Sequence, residues 1–86
     1  MPRISEFFGI VISMYYNDHA PPHFHARYAE HEAEIVLDSH RLLAGGLPPR
    51  AHALVVEWAG LHHEELATNW RAARRGEPLS WIQGLE

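Results

Sequence analysis

Two neighbouring stretches of this chain alternate with a period of two, and this limits its fold more than any other feature. In His23 to Tyr28, the residues Phe24, Ala26 and Tyr28 share one face, and His23, His25 and Arg27 share the other. In Glu32 to Leu37, the residues Ala33, Ile35 and Leu37 lie opposite Glu32, Glu34 and Val36. Such alternation belongs to half-buried strands. A short gap between the stretches makes them a hairpin. Like faces must pair, because a one-residue slip would turn the apolar set to water. Two registers satisfy that rule. One sets Arg27 against Glu32 and His25 against Glu34; the other sets Arg27 against Glu34. In both, the polar face carries His23, His25, Arg27 and two glutamates.

The remaining elements follow from simpler signals. Phe7 to Tyr16 is rich in β-branched and aromatic residues and reads as a further strand. Tyr15 and Tyr16 then point to opposite faces. Asn17 to Pro22 is a loop, closed by Pro21-Pro22. Ser39 to Leu47 reads as a connection containing Gly45-Gly46. Pro48-Pro49 opens a helix, where a missing N–H costs least. Ala51, Leu54, Val55, Trp58, Leu61, Leu66, Trp70 and Ala73 recur near the helical period, and Gly60 is a place to bend. Arg74, Arg75 and Gly76 suit its C-terminus. The expected fold class is α+β: a three-stranded antiparallel sheet followed by one long, bendable helix packed on its apolar face. It forms a single domain over residues 1–86, with the sheet in 7–37, the helix in 48–75 and a tail, 76–86, docked by Leu79, Trp81 and Ile82. Such a sheet has two open edges, which invite a partner strand.

Composition narrows the functional classes. The chain has 86 residues and no cysteine, which removes disulfides and thiolate metal sites and suits a cytoplasmic setting. No apolar run is long enough for a membrane span, and the first residues lack a signal-peptide layout. All seven cations are arginine and the net charge is −4, a balance that disfavours non-specific nucleic-acid binding. Eight histidines make the charge sensitive to pH between about 5 and 7.

Chemistry concentrates in Tyr15-Tyr16-Asn17-Asp18-His19-Ala20-Pro21-Pro22-His23-Phe24-His25. His23 and His25 share a strand face, with Cα atoms about 6.5–7 Å apart, so their imidazoles can converge. With His19 they form a candidate ligand set for a divalent metal such as zinc, and Asp18 or Glu34 can add an oxygen. Without a metal, His19, His23 and His25 are candidate general acids and bases, with Arg27 as a phosphate-holding fork. The third reading needs no chemistry. There the histidines bond Asn17, Asp18, Glu32 or Glu34 and organise a binding surface that also includes Tyr16 and Pro22. The residues alone leave these readings open. His62-His63-Glu64-Glu65 reads as a solvated helix face.

The motif Tyr15-Tyr16-Asn17-Asp18-His19 with Pro21-Pro22-His23-Phe24-His25 is specific. So are Phe7-Phe8-Gly9-Ile10, Gly46-Leu47-Pro48, Glu57-Trp58-Ala59 and Asn69-Trp70 in combination. Together they resemble the family of short bacterial proteins known as domain of unknown function 4160, over nearly the whole chain. The resemblance implies a component of a two-gene, toxin–antitoxin-like module. Its partner would be a cognate small protein from the adjacent gene, of a second uncharacterised family, number 2442. It transfers no catalytic residue. The chain is therefore expected to be the toxin-like member that binds this partner, because it looks fully folded and lacks a DNA-reading helix-turn-helix. The alternative is a small histidine-dependent hydrolase or ribonuclease, with or without metal. Self-association is also compatible with so small a chain.

Overall fold

The computed structural model describes residues 2–86; Met1, the first residue of the expected domain, lies outside the described residues. Five strands come first: β1 (Arg3–Phe7), β2 (Ile10–Ser13), β3 (His23–Tyr28), β4 (His31–Val36) and β5 (Leu42–Gly45). They pair antiparallel in chain order to form one sheet. Two helices follow, α1 (Pro49–Leu61) and α2 (His63–Arg74).

This overturns the expectation of three strands and one long helix. The stretch from Phe7 to Tyr16 is not one strand. Phe7 pairs with Ile10 across a two-residue turn, in which Phe8 (φ 50°) and Gly9 (φ 80°) both adopt positive φ. Two positive φ values suit the right-handed twist of a tight hairpin. The turn is hard to read because an exposed phenylalanine occupies a place where asparagine or glycine is usual. The strand before it, β1, begins at Arg3 and buries Ile4 and Phe7. The supposed connection after Ser39 contains β5, a short, mostly exposed edge strand. The helix is interrupted at His62 (φ −118°, ψ 30°), two residues beyond Gly60. His62 ends α1 through its N–H to the Trp58 carbonyl and precedes α2. Its imidazole bonds Glu65 and lies against Trp58, so it is more than a solvated surface residue.

The hairpin of β3 and β4 takes the first of the two registers: Arg27 faces Glu32 and His25 faces Glu34. The core lies on the other side of the sheet. Ile10, Ile12, Phe24, Ala26, Ala33 and Ile35 join Val55, Trp58, Leu66 and Ala73 in one buried cluster. Trp58 packs on Phe7 and Phe24, with ring centroids 5.4 and 5.9 Å apart, and donates its indole N–H to the Gln83 carbonyl at 2.9 Å. A buried indole thus keeps a partner for its polar edge.

That bond also ties down the C-terminal segment. Asn69 in α2 clamps it a second time, donating to the Ser80 carbonyl and accepting the Ser80 N–H, each at 2.9 Å. Ile82 is buried and donates its N–H to the Ile4 carbonyl at 2.7 Å. Docking therefore rests on Ile82, Asn69 and Trp58. Trp81, expected to dock, is 59% exposed. The same segment covers part of the outer edge of β1, so the two open edges expected of the sheet reduce to that of β5.

Gly45 shows how tightly β5 meets its neighbour. It has φ +66°, and a Cβ there would stand 2.0 Å from the Glu32 carbonyl oxygen. Adjacent Gly46 has open space around its missing side chain. Gly45→Ala is expected to destabilise the fold by more than the roughly 1–3 kcal/mol of a strained backbone conformation, because the clash adds to it. Gly46→Ala is expected to be nearly neutral. Urea unfolding of the two variants checks the contrast.

Candidate functional site

The loop between Ser13 and His23 is anchored at three points before it delivers the histidines. Met14 is buried and donates its N–H to the Pro2 carbonyl at 3.1 Å. Asn17 takes φ 55°, a conformation asparagine tolerates better than most residues, and its N–H faces the Ala73 carbonyl of α2 at 3.4 Å. The Pro22 carbonyl accepts the Leu37 N–H at 3.0 Å, which fixes the loop exit beside β4. Asp18 accepts the His19 N–H on Oδ1 at 2.9 Å, so its carboxylate turns back toward β3.

His23 sits at the centre and is fully buried. Trp70 of α2 packs on one side of it (centroids 5.4 Å apart), and His19 stacks on it at 4.7 Å and 24°. Its Nδ1–H donates to the Pro21 carbonyl at 2.8 Å. A carbonyl can only accept, so this bond fixes the proton on Nδ1 and leaves Nε2 for other work. Around Nε2 stand Asp18 Oδ2 at 3.0 Å and Glu34 Oε1 at 3.6 Å. Neither makes an aligned hydrogen bond, and His23 Nε2 is buried without a hydrogen-bond partner.

His25 lies on the same strand face. Its Nε2–H donates to Asp18 Oδ2 at 3.0 Å, and Tyr15 meets its ring edge-on at 4.3 Å. His19 is mostly exposed; its Nδ1 faces the Ala20 carbonyl at 3.3 Å and its Nε2 lies 3.7 Å from both Asp18 Oδ1 and Glu34 Oε1. Among the described residues, two donor groups are each close enough to hold one ion: His19, His23 and Glu34, and Asp18, His23 and His25. His23 belongs to both.

The other expected site residues are placed less centrally. Arg27 and Glu32 face each other one step further along the hairpin, both exposed, and line a shallow depression with Tyr15 and His25. Tyr16 and Asn17 are exposed on the loop, and Pro22 contributes its carbonyl to the scaffold. Sequence reasoning missed the roles of Tyr15, Pro21 and Trp70 around the cluster. Trp70 reads as ordinary core from its helical spacing, yet it also covers a histidine. A groove of about 360 Å³ lined by Phe8, Ile10, Tyr28 and Leu54 lies at the other end of β2 and β3 and contains no histidine.

The cluster shifts the titration of Asp18. Burial alone would raise its carboxyl pKa, but the His25 hydrogen bond, the His19 N–H and the charges of His23 and His25 together hold it below the ordinary 3.8. A depressed carboxyl stabilises the fold fully above the unfolded value and loses that contribution as pH falls through the folded one. In chelator-treated protein, Asp18→Asn is therefore expected to weaken the dependence of stability on acid below about pH 4. Urea midpoints of wild type and variant across the acid range check it.

The chain matches the family model described as domain of unknown function (DUF4160) over residues 9–71. No curated protein and no solved structure shows significant similarity to it. The matched span runs from the β1–β2 turn to the last turn of α2 and includes every histidine of the cluster, so the chain belongs to the DUF4160 family.

Proposed function

We propose that this chain is a small histidine-dependent hydrolase acting in the bacterial cytoplasm as the toxin-like member of a two-gene module. The observation that carries the reading is His23 Nε2. It is a buried imidazole nitrogen with no hydrogen-bond partner, between two carboxylates and next to an exposed second imidazole. Folding leaves such a group unsatisfied at a cost, so it is a stronger pointer to chemistry than an exposed histidine. Groups of this kind supply the acid, the base and the activated water of hydrolysis. His19 stands at the solvent side, where substrate enters, and Asp18 is held by His25. No described helix is long and apolar enough to cross a membrane, in keeping with a soluble enzyme. The acidic balance argues against a long polyanion as substrate and favours a short or uncharged one.

Control by a cognate small protein is a compatible second reading. The outer edge of β5 is open, and Leu42 on it is exposed. A partner strand added there would satisfy the unpaired backbone groups of β5 and leave the histidine cluster at a distance of one strand.

Expression of the chain alone is expected to slow growth. His23→Ala and His25→Ala together should restore growth to the level of an empty vector, and co-expression of the adjacent gene product should relieve the effect of wild type. Growth unchanged by the double substitution, at equal folded protein, counts against the hydrolase. A neighbour product that neither relieves toxicity nor co-purifies counts against the module.

A further inference from the structure

We propose that His19 Nε2, His23 Nε2 and Glu34 Oε1 bind one divalent transition-metal ion of the zinc class, with Asp18 beside the fourth, open position. The proposal deepens the hydrolase reading by naming its cofactor, but its geometry stands on separate ground.

His23 Nδ1 is committed to the Pro21 carbonyl, so a neutral His23 presents a bare lone pair at Nε2. Asp18 and Glu34 oxygens stand 3.0 and 3.6 Å from that nitrogen, off its axis, and three acceptors then crowd a largely closed space. A cation between them removes the conflict. A proton on Nε2 would be one solution, but Asp18 is not aligned to receive it, and Nε2 is left without a hydrogen-bond partner. A proton would also leave His19 Nε2 and Glu34 without a role.

His23–Glu34 at 3.6 Å and His19–Glu34 at 3.7 Å are too long for hydrogen bonds. They are close to the roughly 3.3 Å that separates neighbouring ligands on a tetrahedron with bonds of about 2.0 Å. All three donor atoms lie within 4.8 Å of one another.

The surroundings support the same site. Both imidazoles turn Nδ1 to a backbone carbonyl, Ala20 for His19 and Pro21 for His23. Metal-bound histidines use their second nitrogen in this way, which fixes the tautomer and the ring. His25 is occupied by Asp18 and serves as a positioning residue, not as a ligand. Two nitrogens and one oxygen with a free fourth place is the donor set of hydrolytic zinc sites. Glu34 reaches the cluster only because the hairpin register sets it opposite His25.

Calorimetric titration of chelator-treated protein with zinc chloride tests this, with circular dichroism to confirm folding. One ion per chain is expected. His19→Ala, which alters an exposed side chain, and His23→Ala should each weaken binding by more than the ~100-fold upper end for an outer residue, and His25→Ala by about 10–100-fold. His31→Ala and His62→Ala, remote from the cluster, should leave it unchanged. Cobalt(II) in place of zinc should give the intense visible bands of a four-coordinate site, lost in His19→Ala. Absence of stoichiometric binding by wild type overturns the proposal. So does binding that survives His19→Ala in a folded protein, or that His25→Ala abolishes while His19→Ala does not. The two readings fail separately. Zinc bound as described, with growth indifferent to His23→Ala, retains the metal site and removes the hydrolase. Toxicity that depends on His23 in a chain that binds no zinc does the reverse.

Discussion

A buried imidazole with one nitrogen held by a backbone carbonyl has a single nitrogen left, and that constraint organises this molecule. The Pro21 carbonyl takes Nδ1 of His23, and Trp70 and His19 cover the ring on two sides. The loop, the sheet and α2 all meet at this side chain. Pro22 bonds the chain beside β4, Asn17 approaches the end of α2, and Asp18 turns inward to His25. Each contact is ordinary in strength. Their common effect is to set one nitrogen beside two carboxylates in a place where water has little access.

The sheet supplies the second half of that geometry. Because β3 and β4 pair with His25 opposite Glu34, an acid from a different strand enters the cluster. The alternative register would have set Glu34 against Arg27, and the acid would have been neutralised two residues away. The core fixes the choice indirectly. Phe24 must meet Ile35, and Ala26 must meet Ala33, for the apolar face to close beneath Trp58. Packing on one side of the hairpin thus decides electrostatics on the other, which is a general consequence of the two-residue period.

The hairpin and its polar face were legible in the sequence because alternation is a local signal. His23, His25 and Glu34 were legible as candidates for the same reason, but the approach of Glu34 to the histidines depends on a register that the sequence left open. What escaped the sequence was set by exceptions to local rules. Phe8 in a positive-φ turn hides a hairpin inside an apolar run, and β5 is too short and too exposed to announce itself. His62 interrupts a helix whose apolar stripe continues unbroken on both sides. Of the three residues read as docking the tail, Ile82 is buried and Leu79 packs on the core, but Trp81 is exposed, and two hydrogen bonds to Asn69 that the sequence did not announce add to the hold. None of these misreadings touches the cluster, because all lie in elements that bound the sheet and not in the hairpin at its centre.

The tautomer of His23 could not have been read from sequence at all. It depends on where the Pro21 carbonyl points, and only the folded loop determines that. Its consequence separates two otherwise similar pictures of a histidine-rich motif. In a purely structural network each nitrogen should find an aligned partner, as His25 does with Asp18. His23 does not, although an oxygen stands at hydrogen-bond distance. A fold that needed only packing at this point would be served by an apolar residue in place of His23. Leaving it bare, buried and flanked by acids is reasonable when a positive charge completes the site, and a small domain has much to gain from an ion that ties its loop to its sheet.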